Sequence, residues 1–115
     1  MQQPLAEQTL ASQADKSGMP AESDLAILLK EMPGWSLRLI DGVAHLEKVY
    51  AFADFAAALA FTNRIGQLAE DVDHHPAILT EYGKVTLSWW SHGLGGVHHN
   101  DLIMAARSDQ LLNAD

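Results

Sequence analysis

The chain contains no cysteine, and that absence excludes a disulfide framework, a thiolate zinc site, an iron–sulfur cluster and a cysteine nucleophile. Basic residues are scarce: 7 Lys and Arg stand against 15 Asp and Glu, a formal net charge of −8. Such a balance argues against unaided binding to nucleic acid or to an anionic membrane, both of which reward a basic face. No run approaches the roughly 18 consecutive apolar residues of a membrane span. The first residues lack the basic start and apolar stretch of a secretory signal, so the expected location is cytoplasmic. What the chain does have is 48% hydrophobic residues over 115 positions, enough for one domain and one core, and 6 histidines, nearly as many as all its Lys and Arg.

Residues 1–20, rich in Gln, Ala and Ser, read as a mobile N-terminal tail with at most a turn of helix around Leu5 to Leu10, and residues 21–115 as a single domain. Ser23 or Asp24 is positioned to cap a short helix over Leu25, Ile27, Leu28 and Leu29, which Pro33-Gly34 stops. Trp35, Leu37 and Leu39 alternate with polar residues as a strand does, and Asp41-Gly42 is a two-residue hairpin signal returning the chain through Val43 to Tyr50. Asp54 opens an Ala-rich helix from Phe55 to about Val72, with Phe61, Ile65, Leu68 and Val72 on one stripe and Phe55 and Leu59 well round from it. Such a wide apolar circumference reads first as plain core; the alternative is a helix covered by its own sheet on one side and by a partner chain on the other. After Pro76 two more strands follow, Ile78 to Tyr82 and Val85 to Ser91, and a Gly-rich loop leads to a last helix around Asp101 to Leu112. Hairpins separated by helices predict an α+β fold, a four-stranded antiparallel sheet with three helices packed on one face.

Chemistry concentrates in the second half. Imidazole exchanges protons near neutrality, and His74, His75, His92, His98 and His99 all lie beyond residue 73. Glu70 precedes His74 by four residues, one helical turn, and is expected to orient it. Pro76 forces His75 out of helical geometry, so the chain turns there. His92 is expected at the end of the fourth strand and Asp101 at the start of the final helix, both at element ends where sites are built. His98 and His99 read as solvated residues ahead of a helix, and His45, within a strand, as surface. Trp90 offers a stacking platform, although interface or core packing explains it better. A histidine metal site is weakly signalled, because the i, i+4 spacing of H-E-x-x-H is missing and adjacent histidines diverge. Ser91-His92 with Asp101 lacks a nucleophile elbow, and Gly93-Leu94-Gly95-Gly96 lacks the Lys-Ser/Thr of a P-loop.

Glu70, His74-His75-Pro76, Tyr82, His92 and Asp101, in that order and spacing, resemble the signature of the pterin-4a-carbinolamine dehydratases. Gly34-Trp35 and the Asp54-Phe55 helix start are similar to that family too, and the resemblance spans about residues 20 to 112. It implies dehydration of 4a-hydroxytetrahydropterin to the quinonoid dihydropterin, which recycles the pterin for an aromatic amino acid hydroxylase such as phenylalanine hydroxylase. It further implies His74, His75 and His92 as pterin-site histidines, Glu70 and Asp101 as supporting carboxylates, and Pro76, Tyr82, Ser91 and Trp90 as weaker substrate contacts. No metal and no cofactor beyond the substrate pterin is expected, and the assembly implied is a homodimer or homotetramer. Water loss from a carbinolamine needs a base for the N5 proton and an acid for the 4a hydroxyl, work suited to imidazoles. With Glu70 beside it, His74 is assigned as the acid, His92 as the base and His75 as a positioning group. Relatives carry Glu then Trp after His-His-Pro, where this chain has Ala77 and Ile78, and Thr-His-Glu where it has Ser91-His92-Gly93. The removed aromatic neighbour opens an alternative, a protein-interaction or dimerisation cofactor on the same fold; a histidine metalloprotein is the third reading.

Overall fold

A computed structural model describes residues 3–112. Its regular elements are α1 (Glu22–Lys30), β1 (Ser36–Ile40), β2 (Val43–Ala51), α2 (Phe55–Val72), β3 (Ala77–Glu81), β4 (Lys84–Trp89) and α3 (His99–Leu112), with single 3₁₀ turns at Leu5–Glu7, Lys16–Gly18 and His92–Leu94. The strands form one antiparallel sheet in the order β1-β2-β4-β3, the α+β arrangement expected from the hairpin and helix pattern.

Local chemistry sets most boundaries. Asp41 and Gly42 both take positive φ (52° and 81°), the left-handed geometry that a two-residue hairpin demands. Asp54 caps α2 by accepting the Ala57 backbone N–H at 2.9 Å. Around α1 the structure departs from expectation: the helix begins at Glu22, so Ser23 and Asp24 lie inside its first turn and Ala21 occupies the cap position without a side-chain bond. The two acidic residues in that turn still meet the positive end of the helix dipole.

Alternation along β4 sends Val85, Leu87 and Trp89 inward, all fully buried, against Ala58, Phe61 and Ile65 of α2 and Leu46 and Tyr50 of β2. Each large apolar side chain buried in this way contributes roughly 1.5–3 kcal/mol. Phe55 and Leu59 face away from the sheet and remain 45% and 43% exposed. Buried polar groups are tied down across elements. Trp89 Nε1 donates to Ser108 Oγ at 3.0 Å, and Ser108 in turn donates to the Met104 carbonyl. Asp109 accepts from Trp35 Nε1 (3.1 Å), Lys48 Nζ (2.8 Å) and Tyr50 Oη (2.6 Å), locking α3 to the first hairpin and to the chain after α1. Burial, reinforced by the Asp109 carboxylate, drives the Tyr50 phenol pKa upward.

The expected mobile tail corresponds to a segment laid along α3. Arg107 donates to the carbonyls of Ala6 and Gln8, Asn100 bonds the backbone of Ala11, and Leu5 and Leu10 pack against the core. The sequence hid this because most of the anchoring groups are backbone carbonyls, with one backbone N–H, and these carry no sequence signal. Among the described residues no helix is long and apolar enough to cross a membrane.

Candidate active site

The site forms where α2 ends, β4 ends and α3 begins. After Val72 the chain takes a left-handed residue at Asp73 (φ 53°), whose N–H bonds back to Glu70, while the His74 N–H reaches the Ala69 carbonyl at 3.1 Å. This cap breaks the helical spacing on which the Glu70–His74 pairing was expected. His74 swings inward, where its Nε2 donates to Asp101 Oδ1 at 2.5 Å and its ring lies parallel to Trp89, 5.7 Å between centroids. Glu70 instead accepts from His75 Nε2 at 2.5 Å, a largely exposed pair. The carboxylate partners are therefore Asp101 for His74 and Glu70 for His75.

Asp101 is the hub. Its side chain is 0% exposed, and its second oxygen accepts both Ser91 Oγ (2.8 Å) and the His98 backbone N–H (2.9 Å). The same residues cap α3. His98 Nδ1 accepts the Asn100 N–H at 2.9 Å while Asp101 reaches back to the His98 N–H, the reciprocal logic of a capping box. His98, expected to be solvated, is thus buried as a cap, and His99 is half-buried with its Nε2 against Gln8 Oε1 at 2.7 Å. Burial, with the His98 charge as a smaller contribution, lowers the His99 pKa.

β4 stops at Trp89 rather than continuing to Ser91, so His92 opens the 3₁₀ turn His92–Leu94 instead of ending a strand. Ser91 bridges to Gly96, and the loop between them projects the His92 ring outward. Trp90 then meets two imidazoles: its ring stacks on His45 at 3.8 Å and 9°, and the His92 ring tilts against it at 4.2 Å and 37°. His45, expected at the surface, is 6% exposed, and its Nδ1 is buried without a hydrogen-bond partner. Burial depresses the His45 pKa, and the nearby His92 pushes the same way. Periodicity alone placed His45 on the outer sheet face; the pairing of Leu46 with Trp89 is what sets it opposite Trp90. That register was not legible before the strands were paired.

An open cleft of about 550 Å³ results, lined by His74, His75, His92, Ser91, Asn100 and Ala14 among others. It joins the three candidate histidines, with Asp101 behind one and Glu70 beside another. Tyr82 does not belong to it: the residue is 75% exposed in the β3–β4 turn, at the far end of β3 from His75. Pro76 only steers the chain from His75 into β3, and Trp90 touches the site through His92. Among the described residues no group of three or more His, Asp or Glu side chains is placed to hold a metal ion. Chemically, the arrangement offers imidazoles that differ in partner, burial and exposure around one hollow, the requirement for dividing proton donation from proton removal.

Comparison with known proteins bears on the fold and the family. The family described as Pterin 4 alpha carbinolamine dehydratase matches residues 20–111. A crystal structure of a transcriptional coactivator/pterin dehydratase from Brucella melitensis superposes with a TM-score of 0.73 at 27% identity, covering 83% of this chain and 99% of that one. A pterin dehydratase-like protein identified as a RuBisCO assembly factor in the alpha-carboxysome gives 0.58 at 25% identity, covering 71% and 93% respectively. With the match running from the start of α1 to the last turn of α3, the chain belongs to the pterin-4a-carbinolamine dehydratase family.

Proposed function

We propose that the protein dehydrates a 4a-hydroxytetrahydropterin to the quinonoid dihydropterin by histidine acid–base catalysis, with the pterin as substrate and no further cofactor. The observation that carries this is the cleft itself, where His74, His75 and His92 meet with two of the rings already bonded to carboxylates. An ionised carboxylate only accepts, so Asp101 holds the hydrogen on His74 Nε2 and leaves Nδ1 as the nitrogen that exchanges protons. His74, fixed by Asp101 and by the face of Trp89, delivers the proton that lets the 4a hydroxyl leave as water. His92, exposed and with no hydrogen bond to its ring among the described residues, takes the N5 proton, so the proton given and the proton removed balance. His75, steadied by Glu70 at the rim, positions the ring system.

The physiological setting under this proposal is recycling of pterin for an aromatic amino acid hydroxylase such as phenylalanine hydroxylase, in the cytoplasm. The active form is a homodimer or homotetramer, supported by the exposed Phe55 and Leu59 on the outer side of α2. A second reading is an interaction cofactor without catalysis, favoured by the assembly-factor neighbour and by Ala77-Ile78 beside the His-His-Pro turn. Stopped-flow dehydration of freshly generated carbinolamine separates the two. The enzyme exceeds the spontaneous rate and loses that excess in His92→Ala; an interaction module gives only the spontaneous rate.

A further inference from the structure

Residues 3–20 lie ahead of nearly all the family-matched residues, yet they are pinned to α3 at successive points. Arg107 donates from Nε to the Ala6 carbonyl (3.1 Å) and from Nη2 to the Gln8 carbonyl (2.7 Å). The Gln8 side chain meets His99. Asn100 spends both ends of its amide on one residue, accepting from Ala11 N at 2.9 Å and donating to Ala11 O at 3.1 Å. Farther along, Gly18 lies so close to the His98 ring that an added Cβ would overlap it.

Between the anchors at Ala11 and Gly18 the segment passes the mouth of the cleft. Ala14 lines that cleft together with His74 and His92. A neighbouring hollow of about 430 Å³ is bounded by Leu10, Ala11, Ser12 and Ala14 on one side and by Val72, Asp73, His74 and Asn100 on the other. Ala14, Asp73, His74 and Asn100 therefore border both spaces, and the segment contributes Ala14 to the wall beside His74.

We infer that residues 3–20 are a strap completing the wall of the site, and that the methyl side chain of Ala14 sets how large a substituent a pterin can carry past His74. The inference rests on the pterin reading above. Its physical basis is steric: a side chain longer than methyl at position 14 fills space that a substituent would use, and freeing the strap removes the wall. Sterics of this kind act on binding of the whole substrate, hence on KM, while the acid–base groups stay in place.

The test compares two carbinolamines that differ only at C6, methyl against 1,2-dihydroxypropyl, in stopped-flow assays of the full chain. Ala14→Phe is expected to raise KM for the longer substrate about ten-fold more than for the methyl one, with kcat little changed. Arg107→Ala, which removes the bonds at Ala6 and Gln8 and so loosens the strap ahead of Ala11 without altering a group that lines the cleft, is expected to narrow the difference in KM between the two substrates. Equal effects on both substrates, or no effect of either substitution, overturn the strap while leaving the dehydratase intact. An unmodified chain that accelerates neither reaction overturns the pterin reading, and the size limit falls with it.

Discussion

Asp101→Asn is the most informative single change, because the structure dictates what the amide must do. Oδ2 of Asp101 accepts two donors, the Ser91 hydroxyl and the His98 N–H, whereas Oδ1 faces only His74 Nε2. The amide oxygen must therefore take the Oδ2 place, which leaves the NH₂ group pointing at His74. Two donors then face each other unless the imidazole moves its hydrogen from Nε2 to Nδ1. The variant is thus expected to reverse the His74 tautomer while preserving the shape of the site. Hydrogen bonds to a charged group contribute about 1.5–3 kcal/mol and neutral ones about 0.5–1.5, so weakening three of them by about 1 kcal/mol each costs about 3 kcal/mol of stability. Removing a correctly poised proton-transfer group costs about 10²–10⁴ in kcat. Urea denaturation measures the first quantity and stopped-flow carbinolamine dehydration the second, while ¹⁵N NMR of the His74 ring reports the tautomer directly. A variant with the reversed tautomer and near-native kcat would refute the assignment of His74 Nδ1 as the exchanging nitrogen. One with an unchanged tautomer would refute the hydrogen-bond argument itself.

The depressed pKa values of His45 and His99 mean that the unfolded chain binds more protons than the folded one once pH drops below the ordinary histidine value of about 6.5. Stability should hold above that pH and fall on further acidification. His45→Phe, which keeps a ring on Trp90 and removes the unpartnered Nδ1, should flatten part of the fall in urea midpoints measured from pH 7.5 to 5. If the slope is unaltered, His45 does not titrate as the structure implies. Asp109→Ala strands the Trp35, Lys48 and Tyr50 donors together and is expected to cost about 2–4 kcal/mol in urea denaturation, with kcat close to native because the cleft is elsewhere. Tyr82→Ala should leave kcat/KM within about two-fold of native, since a side chain in the β3–β4 turn makes no transition-state contact; a larger loss would return that residue to the site.

Where sequence reasoning succeeded and failed follows from the range of the forces involved. Asp41-Gly42 and the Val85, Leu87, Trp89 alternation were legible because turn geometry and strand pleat act between near neighbours. Glu70 was assigned to the wrong imidazole because helical spacing was extended one residue too far; the left-handed Asp73 ends it. His45 and His98 were read as surface or solvated because burial of a polar ring depends on partners remote in the chain, Trp90 across the sheet and Gly18 from near the opposite end of the sequence. The contacts of the N-terminal segment were not legible for the same reason, its anchors lying 89 or more positions away.

The sequence by itself determined the element order, the α+β class and the family, all of them carried by local periodicity or by residue types at fixed spacing. Tertiary structure alone decided which carboxylate serves which imidazole, that Trp90 meets both His45 and His92, and that Ala14 reaches the cleft. Those outcomes depend on strand register, on the direction in which a helix cap releases the chain, and on side chains that bond to backbone. None of the three is written at any single position.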